Sequence, residues 1–170
     1  MIYEPAEDSY LLSKHVRKLV SGKVLDMGTG SGIQAMAALE RTEDVKAADI
    51  NPEAVEYVKN KGINAFVSDL FENVEGKFDW IIFNPPYLPE DPDEPEDSKL
   101  ATTGGKEGGE ILKKFLAEAK KYLTGTGKIL VLVSSLTGKP EELFEGYRFE
   151  CVETEDIFME KLSVYLLSLH

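Results

Sequence analysis

Apolar residues recur with two periods along this chain, and the two periods alternate. Leu11, Leu12 and Val16 stand at helical spacing and predict an opening helix over residues 8–20. The other segments with helical spacing are SGIQAMAALER, NPEAVEYVKNKG, GGEILKKFLAEAKKYL and PEELFEG. The short apolar runs that predict strands are KVLDMG, DVKAADI, INAFV, FDWIIF and KILVLVSS.

The order of these segments predicts an α/β fold. Strands that alternate with helices form parallel sheets with helices on both faces. The last two apolar segments, YRFECVETE and KLSVYLLSL, lie too close together for a crossover helix and predict an antiparallel hairpin. The sequence contains no internal repeat or linker, so we expect a single domain over residues 1–170. Its core should be a doubly wound, mostly parallel seven-stranded sheet that ends in the hairpin.

Charge and composition narrow the functional classes. The 170 residues carry a formal net charge of −12, and their few clustered lysines fall at helical spacing, which is typical of a solvated face. Such a surface repels phosphate backbones, so we expect no direct nucleic-acid binding. No apolar run has the length of a membrane span, and the acidic start MIYEPAEDSY is unlike a signal peptide. A single cysteine excludes an internal disulfide, and we expect a cytoplasmic protein.

The usual nucleophiles and metal ligands are poorly placed. Cys151 alternates with Tyr147 and Phe149 on a predicted strand face, so we expect it to be buried by packing. His15 lies on the opening helix and His170 is the last residue, and neither has neighbouring ligands in the sequence. We therefore expect no metal site and no catalytic triad.

A glycine-rich loop follows the first strand and is a candidate ligand site. Gly28, Gly30 and Gly32 separate that strand from a helix and permit a tight turn with close backbone approach to a ligand. Their spacing differs from the G-x-G-x-x-G of dinucleotide folds, which disfavours oxidised nicotinamide. Asp26 directly precedes the loop. A negative charge there would oppose a pyrophosphate and would suit an ammonium group.

Acidic residues also end the next two strands. Asp49 lies about 20 residues beyond the first glycine, where an acid can accept both ribose hydroxyls. Asp69 could accept from an adenine amino group while Leu70 packs on the ring, although such an aspartate taken alone is more often a cap or turn residue. The combined sites describe a nucleoside with a cationic amino-acid tail and no phosphate. This description fits S-adenosylmethionine.

The stretch FNPPYLP ends the fourth strand with an asparagine and two consecutive prolines. An Asn-Pro pair favours a turn, and proline cannot continue a central strand. Beside a cofactor loop the same residues have a chemical use. The Asn84 side-chain oxygen and the Pro85 carbonyl can each accept one N–H of a planar NH₂ group, and Tyr87 can flank its plane. Asn84, Pro85 and Tyr87 are therefore the candidate catalytic residues.

These motifs give the chain a family resemblance. Four motifs stand in the order typical of class I methyltransferases: DMGTGSG, ADINP, SDLF and FNPPY. The N-P-P-Y stretch resembles the motif of the enzymes that methylate glutamine or adenine nitrogens. YEPAEDSYLL, TGGKEGGEIL and EKLSVYLL further resemble the archaeal and eukaryotic release factor glutamine methyltransferases, relatives of the HemK-type enzymes. The resemblance implies a Rossmann-like methyltransferase fold and N5-methylation of the glutamine in the Gly-Gly-Gln loop of a class 1 release factor.

The resemblance also implies particular contacts. Ser9 would touch S-adenosylmethionine, and Asn84 would bridge cofactor and substrate. A small zinc-ribbon activator would pair along a sheet edge, where we expect Ile63 and Phe66 to be partly exposed. Independently of the resemblance, the acidic stretch over residues 90–97 is expected to be a mobile loop, which either is simply solvated or favours a basic protein surface over nucleic acid.

Three other functions are compatible with some of these motifs. The N-P-P-Y pocket also suits an N6-adenine methyltransferase acting on RNA, but the net charge and the lack of an RNA-binding module count against it. A lysine methyltransferase needs deprotonation of its substrate and not two acceptors. A non-catalytic cofactor-binding scaffold would not need Asn84.

Overall fold

The structure, a computed structural model, describes residues 2, 4–86 and 108–170 of the chain. Its strands are β1 (Val24–Met27), β2 (Val45–Asp49), β3 (Asn64–Val67), β4 (Phe78–Phe83), β5 (Leu123–Ser134), β6 (Arg148–Ile157) and β7 (Glu160–Ser168). Its helices are α1 (Glu7–Leu19), α2 (Ile33–Leu39), α3 (Pro52–Lys59), α4 (Glu110–Ala119) and α5 (Pro140–Leu143), with a 3-10 helix over Lys120–Tyr122. The acidic stretch 90–97 lies outside the described residues.

Within the described ranges, seven strands form one sheet in the order β3-β2-β1-β4-β5-β7-β6. The first five of these are parallel, whereas β7 runs antiparallel to both β5 and β6. The predicted doubly wound sheet with an antiparallel C-terminal hairpin is therefore confirmed. The strand order reverses between β1 and β4, and in such sheets ligands bind at the carboxyl ends of the strands beside this reversal.

Local sequence signals set the bounds of α3 as predicted. The Asn51 side chain accepts a hydrogen bond from the Glu53 backbone N–H at 3.0 Å, and Pro52 occupies the first turn. Both features satisfy or remove N–H groups that have no partner inside the helix. Gly62 then adopts a φ of 83°, a left-handed conformation that tolerates glycine best. The chain is thereby turned directly into β3.

The sheet has a separate apolar core on each face, because side chains alternate along its strands. Val24, Trp80 and Ile82 pack in one cluster with buried residues of α1, α2 and α3. Leu25 and Ile81 pack in the other with residues of α4 and α5. The strands are thus covered on both sides, which explains why every buried position of β4, and every one of β1 except Asp26, is apolar.

Two predictions about exposure are wrong. Cys151 is exposed, because β6 is an edge strand and most of its residues face solvent. Ile63 is only 6% exposed and belongs to the core cluster that contains Val58 of α3. Phe66 is half-buried as expected, and Val67 is 42% exposed at the same sheet edge.

Candidate active site

Strand register brings the predicted site residues to one edge of the sheet. Met27, at the end of β1, is aligned with Ala48 of β2 and with Phe83 of β4. The residues that follow these three positions therefore meet where the carboxyl ends of the strands open. They are Gly28, Asp49 and Asn84.

The glycine loop is built from three left-handed residues with different surroundings. Gly28, Gly30 and Gly32 have φ values of 67°, 54° and 85°. A Cβ on Gly32 would lie 3.1 Å from a methyl of Val58, and a Cβ on Gly28 would lie 3.4 Å from the Phe83 ring. A Cβ on Gly30 would meet nothing within 4 Å. Gly32 thus permits close packing against Val58 of α3, whereas Gly30 borders open space on the crevice side.

Asp26 is a buried acid beneath this loop. Its Oδ2 accepts hydrogen bonds from the Thr29 hydroxyl at 2.7 Å and from the Ala35 backbone N–H at 3.1 Å. Burial nevertheless raises the pKa of the Asp26 carboxyl to about 7, and the charge of Asp49 contributes in the same direction. A cation beside Asp26 would favour its ionised form. The residue therefore fits a ligand that carries an ammonium group.

Asp49 is held at the end of β2 by the glycine loop and by its own turn. Its Oδ2 accepts from the Gly30 backbone N–H at 2.8 Å, and its Oδ1 accepts from the Asn51 backbone N–H at 2.9 Å. Burial raises the pKa of this carboxyl, and these N–H groups act against that rise. The Ile50 backbone N–H also acts on this carboxyl. A carboxylate offers about four lone-pair positions, so acceptor capacity remains for a ligand hydroxyl group.

Asp69 and Leu70 lie in a turn that is tied to Asp49. The Ser68 backbone N–H donates to the Asp49 carbonyl at 2.9 Å, and the Ser68 hydroxyl donates to the Leu70 carbonyl at 2.6 Å. Asp69 is exposed, and Leu70 is half-buried with a φ of 51°. The structure thus brings both predicted adenine contacts to the same edge of the sheet as Asp49.

Asn84 and Pro85 follow β4 on the other side of the glycine loop. The Asn84 Nδ2 donates to the Oδ2 of Asp8 at 3.3 Å. The Asn84 Oδ1 is buried, and no atom of the described chain forms a hydrogen bond with it. Pro85 is buried beside it. The third predicted catalytic residue, Tyr87, lies outside the described residues.

The first turn of α1 spans the site. Ser9 is buried, its carbonyl accepts from the Gln34 side-chain amide at 2.9 Å, and its hydroxyl accepts from the Ala6 N–H at 3.4 Å. Asp8 meanwhile reaches Asn84, so this turn links α2 to the end of β4.

Sequence reasoning missed Asp8 and Gln34. A signal for Asp8 was available, because it stands at helical spacing from Leu11 and Leu12, on the buried face of α1. An acid on an apolar helix face requires a polar partner. For Gln34 we find no comparable signal in the sequence.

Outside this site, two titratable side chains of α1 have a structural partner. His15 pairs with Glu153 of β6 at 2.7 Å, and Lys14 contacts the same carboxylate at 2.9 Å, which anchors α1 to the edge of the sheet. In the part of the chain that the structure describes, no three His, Cys, Asp or Glu side chains converge as metal ligands. Among the same residues, no helix has the length and apolar character needed to cross a bilayer.

Comparisons with known proteins identify the family of this chain. The sequence profile of the family "Methyltransferase small domain" matches residues 6–157. A candidate protein N5-glutamine methyltransferase of Methanocaldococcus jannaschii is 43% identical over 96% of this chain and 89% of that protein. The release factor glutamine methyltransferase of Streptococcus pneumoniae is 35% identical over 73% of this chain, which corresponds to 50% of that longer protein.

A solved structure extends the likeness to the whole fold. The Mtq2-Trm112 complex of E. cuniculi, described as responsible for methylation of the translation termination factor eRF1, contains a chain that is 26% identical. It superposes with a TM-score of 0.81 and covers 99% of both chains. The family profile and the relative from Methanocaldococcus jannaschii show that this chain belongs to the small-domain methyltransferases and, within them, to the protein N5-glutamine methyltransferases.

Proposed function

We propose that this protein transfers a methyl group from S-adenosylmethionine to N5 of the glutamine in the Gly-Gly-Gln loop of a class 1 release factor. The observation that carries the proposal is the Asn84 side chain. Its Oδ1 is a buried acceptor without a hydrogen-bond partner in the described ranges, and it lies across from the glycine loop. Buried acceptors are rarely left unmatched, and a substrate N–H would satisfy this one.

The residues present fit S-adenosylmethionine in three respects. Gly30 borders open space where the chain can approach a ligand closely. Asp49 retains acceptor capacity for a ribose hydroxyl beside its backbone hydrogen bonds. Asp26 is a buried acid that an ammonium group would stabilise in its ionised form. Ser9, Asp69 and Leu70 complete the proposed contacts around the cofactor.

When bound, S-adenosylmethionine supplies an electrophilic methyl group on its sulfonium sulfur. The chain must then orient a poor nucleophile, because the lone pair of a carboxamide nitrogen is delocalised into its carbonyl. The Asn84 Oδ1 accepts one N–H and the Pro85 carbonyl accepts the other. Neither Pro85 nor Pro86 has a backbone N–H that could compete for these acceptors. Two fixed acceptors aim the nitrogen lone pair at the methyl group by positioning and electrostatics.

No strong general base is needed for this reaction. The amide nitrogen becomes acidic only after it has been methylated, so water can take its proton. This requirement separates the site from a lysine methyltransferase, whose amine must be deprotonated first. A pair of neutral acceptors at Asn84 and Pro85 suits a planar NH₂ group better.

The same proposal includes a partner and a location. β3 is an edge strand of the described sheet, and an exposed edge is a template for pairing with another chain. Val67 is exposed there and Phe66 is half-buried. We propose that a small zinc-ribbon activator protein pairs along this edge and that the protein acts in the cytoplasm, where release factors function.

The decisive experiment is mass spectrometry of a purified class 1 release factor after incubation with this protein, its activator and S-adenosylmethionine. We expect one added methyl group on the peptide that contains Gly-Gly-Gln. Replacing the glutamine should abolish the transfer. Asn84→Ala should reduce the rate by roughly a hundredfold to a thousandfold, because one preorganised acceptor is lost. Binding of S-adenosylhomocysteine should remain largely intact.

Two outcomes would contradict the proposal. Transfer of labelled methyl groups to RNA but not to the release factor would favour the adenine-methylating alternative. Full activity of Asn84→Ala would mean that the N-P-P-Y stretch is only a turn.

A further inference from the structure

We propose that Asp8 is a positioning residue that fixes the orientation of the Asn84 carboxamide. It would hold the Asn84 Nδ2 away from the substrate and leave Oδ1 facing the substrate nitrogen. This inference rests on the proposed function, since it concerns the acceptor that orients the glutamine amide. Asp8 itself touches Asn84 and is not assigned a direct role in methyl transfer.

The orientation follows from hydrogen-bond chemistry. The oxygen and the NH₂ group of a carboxamide occupy nearly the same volume, so packing alone discriminates poorly between the two flipped forms. An ionised carboxylate has acceptors only. The Asp8 Oδ2 lies 3.3 Å from Asn84 and can therefore face only its NH₂ group. The opposite end of the amide is then Oδ1, the buried atom for which the described residues provide no donor.

The flipped form would be unproductive. A substrate carboxamide presents two N–H donors, and an Asn84 side chain turned around would present donors as well. Two sets of donors would face each other in a buried position, where unpaired polar groups are costly. Asp8 would simultaneously face the Asn84 oxygen, so that an acceptor would lie against an acceptor. The Asp8 carboxylate thus disfavours the flipped form of the Asn84 carboxamide, in which neither end of the amide would face a suitable partner.

The structure holds Asp8 firmly enough for this role. Asp8 is 4% exposed on the buried face of α1, within the first turn of a 13-residue helix. The helix macrodipole favours a negative charge at this end. The next residue, Ser9, is tied to α2 through its carbonyl and the Gln34 side-chain amide at 2.9 Å. The first turn of α1 is therefore anchored to the glycine-loop helix and reaches the end of β4 from there.

A double-mutant cycle in the protein–activator complex tests this role. Asp8→Leu should lower kcat by about a hundredfold, and Asp8→Asn by about tenfold because an asparagine can pair with either end of the Asn84 amide. S-adenosylhomocysteine affinity should change less than about twofold. In an Asn84→Ala background, Asp8→Leu should cause no further loss. Glu7→Gln is the matched control, since it removes an acid from the same turn, and it should leave kcat unchanged.

Three kinetic results would overturn the inference. Asp8→Leu could retain full kcat, its loss could multiply with that of Asn84→Ala, or cofactor affinity could fall in parallel with kcat. Multiplicative or parallel losses would indicate that Asp8 supports the fold or the cofactor site and does not act through Asn84.

A second measurement does not depend on the substrate. The Asn84 side-chain NH₂ signals can be assigned by NMR through their disappearance in Asn84→Ala. In the wild type they should exchange slowly with solvent, and this protection should be lost in Asp8→Leu but not in Glu7→Gln. Unchanged protection in Asp8→Leu would overturn the inference. If the wild type fails to methylate release factor while the protection still depends on Asp8, the proposed function fails and the orientation of Asn84 stands.

Discussion

Burial of Asp26 destabilises the folded protein, and the same carboxyl group favours the binding of a cationic ligand. It is 1% exposed, and burial raises its pKa to about 7 despite hydrogen bonds from Thr29 and Ala35. The free protein therefore holds a carboxyl group that resists ionisation at neutral pH. A ligand ammonium group would stabilise the ionised carboxylate. Asp26 therefore destabilises the free protein more than it destabilises the ligand complex.

Replacing Asp26 by asparagine should therefore stabilise the free protein. The folded pKa lies above the ordinary value of 3.8, so the folded state holds the proton more tightly than the unfolded chain does. The stability that this group contributes is present at acidic pH and is lost as the pH rises from about 4 through about 7. Asp26→Asn should raise the free energy of unfolding on the order of 4 kcal/mol at about pH 8, and by roughly 2 kcal/mol or less at about pH 5. Urea unfolding at the two pH values measures this difference.

The same variant should lose ligand affinity. Calorimetry of S-adenosylhomocysteine should show weaker binding to Asp26→Asn, together with loss of the proton release that the wild type shows below about pH 7. A variant that is less stable at the higher pH, or that binds the ligand as tightly as the wild type, would contradict this account of Asp26.

Residue-scale predictions succeeded where the determinants are local. Asn51, Pro52 and Gly62 act as cap, first helical residue and stop because each depends only on neighbours a few positions away. Asp49 could be placed at the crevice because strand ends and glycine loops have fixed relations in doubly wound sheets. Asp8 escaped notice because its partner lies 76 positions away. Its significance appears only when α1 is packed on the sheet.

At the scale of elements, the apolar periodicity predicted the positions of the strands more accurately than it predicted which strand residues are exposed. β4 was bounded correctly by the apolar run FDWIIF, and the two C-terminal strands pair as expected. Alternation along β6 suggested a buried face, but burial depends on what covers a strand and not on its own pattern. β6 lies at the edge of the sheet, so Cys151 is exposed and Phe149 is 38% exposed.

The exposure of Cys151 gives a direct test of the β6 edge. Its thiol should react with Ellman's reagent in the native protein at a rate close to that in urea, because an accessible thiol needs no unfolding to react. Cys151→Ser should remove the entire signal and serves as the control. A native thiol that reacts only after denaturation would place β6 inside the protein and would contradict the sheet order.

At the scale of the whole molecule, the described sheet has two open edges of different character. β3 presents Val67 and the half-buried Phe66 beside the proposed cofactor turn. β6 presents a mostly polar row that includes the exposed Glu150 and Glu155. Charged side chains discourage strand pairing, whereas an edge with apolar side chains invites it. The β3 edge is therefore the better candidate for the proposed zinc-ribbon partner.

A pair of edge variants distinguishes the two surfaces. Val67→Arg places a charge on an exposed position of β3 and should abolish co-purification with the co-expressed activator, because the charge would be desolvated by the partner. Phe149→Arg makes the same change at a comparably exposed position of β6 and should leave the complex intact. The circular dichroism spectrum of both variants should match that of the wild type, and this control is needed above all for Phe149→Arg, because the Phe149 ring packs against Phe144 with 5.3 Å between ring centroids. Loss of the complex with Phe149→Arg alone would move the interface to the C-terminal hairpin. A wild-type protein that is soluble and fully active without any partner would remove the need for the interface.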